Sequence, residues 1–360
     1  MTDRIAIPIL SYRGMLSITA AAISMMLSVG TVRAQSVTPL QNAVGSVYTA
    51  DEIGNSISMI NLATGQVTIV ATTISPHNVQ VTADGVRLLA VGDTLAAAGE
   101  QAHGKMPHGM KAAGTLLLFS TASLDAGPMA SLVVGDHPAH VVIEKDGARA
   151  FVTLSGENAL AIIDLNRNAI VRKIATGRYP HGLRISPDGG AAYVANVDDE
   201  SVSVIDTVSL TETAKILVGK SPVQVGFTPD GMRAYVSLRD ENKVAVIDTK
   251  SRSVIARIDV GRNPIQVHAT ADGRFVYVAN QGTTADPDDT VSVIETATHK
   301  VVATIRTGAG AHGVAISNDG RFVFISNIVA GTVSVMDTES RAVVATFKVG
   351  GGPNGITYRP

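Results

Sequence analysis

His103, Met106, His108 and Met110 fall within one short segment, Gln101-Ala102-His103-Gly104-Lys105-Met106-Pro107-His108-Gly109-Met110-Lys111. Imidazole nitrogen and thioether sulfur together suit copper, Cu(I) above all, and copper binds nitrogen-rich sites more tightly than the other first-row divalent ions. A second group of histidines recurs beside Pro or Ala: His77 after Pro76, His137 and His140 around Pro138, His181 after Pro180, and His312 after Ala311. Neutral imidazole is the commonest metal ligand in proteins, so His77, His140, His181 and His312 join the four loop residues as candidate ligands. The chain has no cysteine, which excludes thiolate copper centres, iron–sulfur clusters, covalently attached c-type haem and thiol catalysis. Neither a nucleophile elbow nor a His-Glu-x-x-His motif occurs, so no residue is nominated as catalytic.

A repeat must position these side chains. Pro followed some eight residues later by Asp-Gly recurs at Pro76, Pro138, Pro180, Pro222 and Pro264, with Ala311 in the place of Pro in a sixth copy. Successive anchors lie 42 residues apart, except for gaps of 62 after Pro76 and 47 after Pro264. Insertions of about 20 and about 5 residues, near 93–114 and 281–290, account for the two breaks in an otherwise fixed period. Within each unit Asp-Gly, a two-residue hairpin signal, leads into an alternating strand such as Ala192-Tyr193-Val194-Ala195-Asn196. A polar turn and a second strand follow, for example Ser203-Val204-Ile205-Asp206-Thr207, and then a third. Each unit therefore reads as a four-stranded antiparallel blade. Residues 353–360 hold only an anchor and an inner strand, whereas 46–72 hold three outer strands. Together they complete one blade, blade one. The expectation is an all-β, seven-bladed β-propeller over 46–360, closed by the C-terminal strand joining the N-terminal blade.

The Tyr-Val-Ala-Asn and Ser-Val-Ile-Asp-Thr units resemble the YVTN repeat of YncE-like propellers, over nearly the whole chain after residue 34. That family is related in fold to WD-repeat propellers and to the haem-d-type propeller of nitrite reductase, and its members are mostly bacterial envelope or surface proteins. The resemblance implies that the loop entering each inner strand and the loop between the second and third strands open on one face, near the central channel. Blade two, entered at Pro76, carries the long insertion on that face, and the histidines cluster around it. Val223 and Ile265 stand where two other blades would carry histidine. His140, one residue out of register with His181, is expected to face the other way. His268 and His299 read as structural. The acidic residues Asp198, Asp199, Glu200, Asp240, Glu241 and Asp286–Asp289 are expected to make the same face anionic, without the spacing of a calcium loop.

Residues 1–34 have the form of a secretory signal: Arg4 and Arg13, an apolar run from Met15 to Val29, then Val32-Arg33-Ala34. Residues 35–45 read as a linker. No later segment is long and apolar enough to span a bilayer, so the expectation is a periplasmic or secreted monomer. Lys and Arg number 29 against 31 Asp and Glu, only 4% of residues are aromatic, and Trp is absent. Single-stranded DNA binding needs a basic groove and stacking aromatics, so nucleic acid ranks last among partners. The composite expectation is an exported, non-catalytic scaffold that takes a protein or small ligand on the insertion-bearing face. Copper is its candidate cofactor. A cofactor-handling or oxidoreductase propeller, haem-d-like or copper-bearing, is the alternative.

Overall fold

In every repeat polar side chains close the turns that the apolar strands cannot. Asp230 Oδ1 accepts hydrogen bonds from the Thr228 hydroxyl (2.6 Å) and the Met232 N–H (2.9 Å), while Gly231 N–H donates to Thr228 O. Gly231 sits at φ +70°, and the equivalent Gly85, Gly147, Gly189, Gly273 and Gly320 are likewise left-handed, a conformation that glycine adopts without steric cost. The connection spans Thr228–Met232, between strands Pro222–Phe227 and Arg233–Leu238. It is thus a five-residue loop held by the Asp side chain, not the two-residue hairpin that Asp-Gly suggests. Asp206, the last residue of strand Ser201–Asp206, caps the outer turn by accepting from Val208 and Ser209 N–H, and Thr207 Oγ1 ties that turn to Gly189 O at 2.6 Å. The Asp-Thr pair of the repeat is therefore a turn-forming device.

A computed structural model describes residues 40, 43–95 and 113–360. The signal read at 1–34 and the loop ligands His103, Met106, His108 and Met110 lie outside the described residues. Among the described residues the strands form seven four-stranded antiparallel sheets. Blade one combines Ser46–Asp51, Ser56–Asn61 and Val67–Ala71 with the C-terminal Pro353–Arg359. Blades two to seven begin at Ile74, Pro138, Pro180, Pro222, Pro264 and Ala311. The ring closes as the sequence predicts, Val47 opposite Tyr358 and Tyr48 opposite Thr357.

Seven buried clusters fill the spaces between neighbouring blades. On the first strand Val47 packs toward Phe324 and Val335 of blade seven, and the next residue, Tyr48, packs toward Val79 and Leu88 of blade two. Alternation with period two thus feeds two interfaces from one strand. Ala43, within the expected linker, is buried in the cluster shared by blades seven and one. No helix among the described residues is long and apolar enough to cross a membrane. In the second insertion Arg262 pairs with Asp286 and Asp288, and Arg306 pairs with Asp289. Asp199 is likewise paired with Arg178 and Lys215, so much of the acidity expected on that face is balanced locally.

Candidate metal centre

The inner strands do not alternate where they enter the channel. Pairing slips between Pro138 and Val141, Pro180 and Leu183, Pro222 and Val225, and Pro264 and Val267. Two residues of the inner strand then oppose one of its neighbour, and such a bulge re-aims side chains. Its consequence corrects the sequence reading of His140. That residue does not face away: it shares one small space with His77 and His181, where the ligand atoms of the three imidazoles lie within 4.8 Å of one another. Ring centroids are 5.7 Å apart for His77 and His140, 5.1 Å for His77 and His181, and 4.8 Å for His140 and His181.

The bulge also explains the sector without histidine. Where the residue after the anchor is apolar, the next is long and polar: Ala139-His140, Val223-Gln224, Ile265-Gln266. Where it is polar, the next is often Gly: His181-Gly182, His312-Gly313, Asn354-Gly355. A Cβ on Gly182 would stand 2.3 Å from Val223 O, so the strands approach too closely for a side chain there. Gln224 and Gln266, both buried, complete the polar lining that Val223 and Ile265 leave out.

Each histidine of the cluster has an outer neighbour at Nδ1. His77 Nδ1 lies 3.1 Å from Glu52 Oε1, and Asn354 Nδ2 donates to Glu52 Oε2 at 2.7 Å. His181 Nδ1 lies 3.3 Å from Val223 O. With both Nδ1 atoms donating, the lone pairs remain on Nε2, and these two Nε2 atoms face each other at 3.1 Å. Two lone pairs so placed repel unless a cation, proton or metal, sits between them. Two nitrogens bound at about 2.0–2.1 Å to one tetrahedral ion lie roughly 3.3 Å apart. His140 Nδ1 stands 3.4 Å from Gln224 Nε2, and its Nε2 is buried without a protein partner. Gln224 Oε1 accepts from Val225 N–H at 2.9 Å, so ligation through His140 Nε2 requires the Gln224 amide to give up that bond and turn its oxygen to the Nδ1 proton.

Burial favours neutral, lone-pair-bearing rings at His140 and His181. Burial first, and then the neighbouring histidines, hold His140 and His181 well below the ordinary histidine range. Burial likewise lowers His312 to about 4. Burial alone would raise the Glu52 carboxyl, but its hydrogen bonds with His77 and Asn354 bring it down to about 2. Glu52 is therefore a fixed anion behind His77. At the outer edge His137 donates to Asp93 at 2.7 Å, and that bond raises its imidazole. The space bounded by Glu52, His77, Asp93, His137, Tyr179 and His181 is about 30 Å³. That is room for an ion with a water molecule and not for a tetrapyrrole.

Of the eight candidate ligands, His77, His140 and His181 converge. His312 lies beside them with its Nδ1 on Asn354 O at 3.2 Å, and the other four are outside the described residues. Sequence reasoning missed Glu52, Gln224 and Asn354. Glu52 follows the residue in Asp51's position, where other blades carry Asn196, Asn280 and Asn327, and the second-to-third-strand loops were already expected on this face. That was the available signal.

Residues 231–359 match the family model of the YNCE-like beta-propeller, and residues 136–265, which include His140 and His181, match that of the cytochrome D1 heme domain. No curated protein matches significantly. Among solved structures, hydrazine synthase of Kuenenia stuttgartiensis aligns with a TM-score of 0.67 at 21% identity, covering 79% of this chain and 90% of that one. A functionally unknown protein from Desulfotomaculum acetoxidans aligns at 0.72 with 17% identity, covering 87% and 98%. A putative 6-phosphogluconolactonase from Bacteroides fragilis aligns at 0.70 with 12% identity, covering 89% and 99%. At these identities the likeness is one of fold. The chain is thus a seven-bladed β-propeller, YNCE-like over its C-terminal blades and related to the cytochrome d1 haem propellers through its central ones.

Proposed function

We propose that this chain is an exported, non-catalytic binding scaffold that holds one transition-metal ion, copper, on His77, His140 and His181 at the mouth of its channel. The observation that carries this reading is the 3.1 Å approach of the His77 and His181 Nε2 atoms, with Glu52 and Val223 O at their Nδ1 positions. Metal-bound histidines characteristically give their second nitrogen to a carboxylate or a backbone carbonyl, which fixes ring and tautomer. Imidazole ligands suit zinc, nickel, iron and copper, and copper heads the affinity order. His103, Met106, His108 and Met110, in the loop between Leu95 and Ala113, add a Cu(I)-type donor set. The described ends of that loop are at the same mouth, since Asp93 contacts His137.

The test is metal analysis of the purified protein, followed by titration with Cu(II), Cu(I) and Zn(II). Wild type should take up one ion per chain at the three-histidine site, and His140→Ala should weaken it by tenfold or more. A separate His103→Ala/His108→Ala variant should lose only Cu(I) affinity. Equal binding by wild type and His140→Ala would remove the site, leaving the two Nε2 atoms to share a proton. The cofactor-handling reading draws on the cytochrome D1 heme domain match across His140 and His181. A visible absorption band on purification would favour it, although the space of about 30 Å³ beside His77 and His181 is too small for the group.

A further inference from the structure

Beyond the bulge the inner strands resume alternation, and the residues four positions after the anchors form a second level of the channel wall. Gln80, Arg184, His268 and Thr357 occupy it, with Val142, Gly226 and Ala315 in the remaining blades. This level opens toward the Asp-Gly turns, away from the histidine cluster, into a cavity of about 560 Å³ whose lining includes Gln80, Val142, Arg184, His268, Ile356 and Thr357. Its size and its mixture of apolar wall with a few polar groups are those of a small-molecule site.

Arg184 is the unexplained group there. It takes part in no ion pair among the described residues, and its only side-chain hydrogen bond is a long one, Nη1 to Leu183 O at 3.3 Å. The carboxylates at the rim are engaged elsewhere. Glu144 is bound by Arg149 (2.6 and 2.7 Å), Asp188 by Ser186 Oγ and Gly190 N–H, and Asp146 by Ala148 N–H. Lys145 Nζ is turned to Pro187 O. Burial lowers the Arg184 guanidinium only to about 10, so it keeps its charge at neutral pH. Arg184 is half-buried in the cavity wall with no counter-charge among the described residues, and a guanidinium fork matches a carboxylate in two parallel hydrogen bonds. Across the cavity His268 spends Nδ1 on Ala269 O at 2.9 Å, and burial holds it neutral, down to about 4. Its Nε2 therefore presents a lone pair that asks for a donor.

We propose that this end of the channel binds a small organic hydroxy-acid, its carboxylate on Arg184 and its hydroxyl donating to His268, with the carbon body against Val142 and Ile356. The site is independent of the metal proposal. Calorimetric titration with malate, on protein stripped of metal by a chelator, keeps the two questions apart. Wild type should bind malate, and Arg184→Gln should bind it at least tenfold more weakly without a lower unfolding midpoint, because the residue it replaces makes no ion pair and only one long hydrogen bond among the described residues. Malate should also shield Arg184 of the wild type from modification by phenylglyoxal, read by peptide mass spectrometry, an outcome that needs no variant to fold. Absence of malate binding at millimolar concentration, equal binding by Arg184→Gln, or unaltered modification of Arg184 would overturn the proposal. Sulfate bound as tightly as malate would overturn the organic-acid assignment.

Discussion

At the scale of single residues, Glu52 and Asp51 are adjacent carboxylates with opposite roles. Glu52 is held ionised beside the three-histidine cluster by its hydrogen bonds with His77 and Asn354. Glu52→Gln should therefore weaken metal binding by about tenfold, the usual effect of removing an outer partner, as read by competition against a chelating dye. Asp51 is fully buried among Thr49, Ser56 and Ser58 hydroxyls, and burial raises its carboxyl to about 6 despite their hydrogen bonds. A folded-state pKa above the unfolded value contributes stability below pH ~4 that is lost as pH rises through ~6. Other blades carry Asn in this place, as Asn196 donates to Ser201 and Ser203. Asp51→Asn should stabilise the protein by about 1–3 kcal/mol above pH 6, and the gain should fade toward pH 4 in denaturant melts. The buried histidines act in the opposite sense. His268 and His312, both near 4 when folded, stay neutral where unfolded histidine charges, so they cost stability as pH falls from ~6.5 to ~4. Comparison of Asp51→Asn with wild type at each pH cancels that background.

At the scale of the element, the bulge at the head of each inner strand decides which side chains meet. Read from the sequence with strict alternation, His140 and His181 fall on opposite sides. Two residues opposing one at the bulge bring both to the channel, and no local residue signal in Ala139-His140 announces it. The place of the inner turn was legible because Asp-Gly acts locally, its Asp accepting a bond from two residues on, whereas its length and the turn-closing part of the Asp-Thr pair, read as strand, were not. Nor were Glu52 and Gln224, because the histidines they meet, His77 and His140, come from other blades. Gly182 tests the element directly. A Cβ there would meet Val223 O at 2.3 Å and Gln224 Oε1 at 2.5 Å, and Val223 O is the outer partner of His181. Gly182→Ala should lower the unfolding midpoint and weaken metal binding together. A variant that lost neither would show the close approach to be dispensable.

At the scale of the whole molecule, the period of the repeat carried fold, blade number and closure, because each blade must bury two faces and only a ring supplies both neighbours. What the period could not carry is which blades depart from it and what those departures bring together. Closure rests on Pro353–Arg359 against Ser46–Asp51, with Ile356 and Tyr358 packed into the core shared by blades seven and one. Deleting residues 353–360 should open that blade and lower the melting temperature sharply in a calorimetric scan, and an unchanged melt would refute the closure. The channel it preserves has a three-histidine mouth and an arginine-bearing opposite end. X-ray absorption on protein loaded with one equivalent of copper tests the central claim most directly: the account predicts a copper edge with three imidazole scatterers at about 2.0 Å, lost in His77→Ala/His140→Ala/His181→Ala. Copper that remains in a solvent-like oxygen shell, or an identical spectrum from the triple variant, would contradict it.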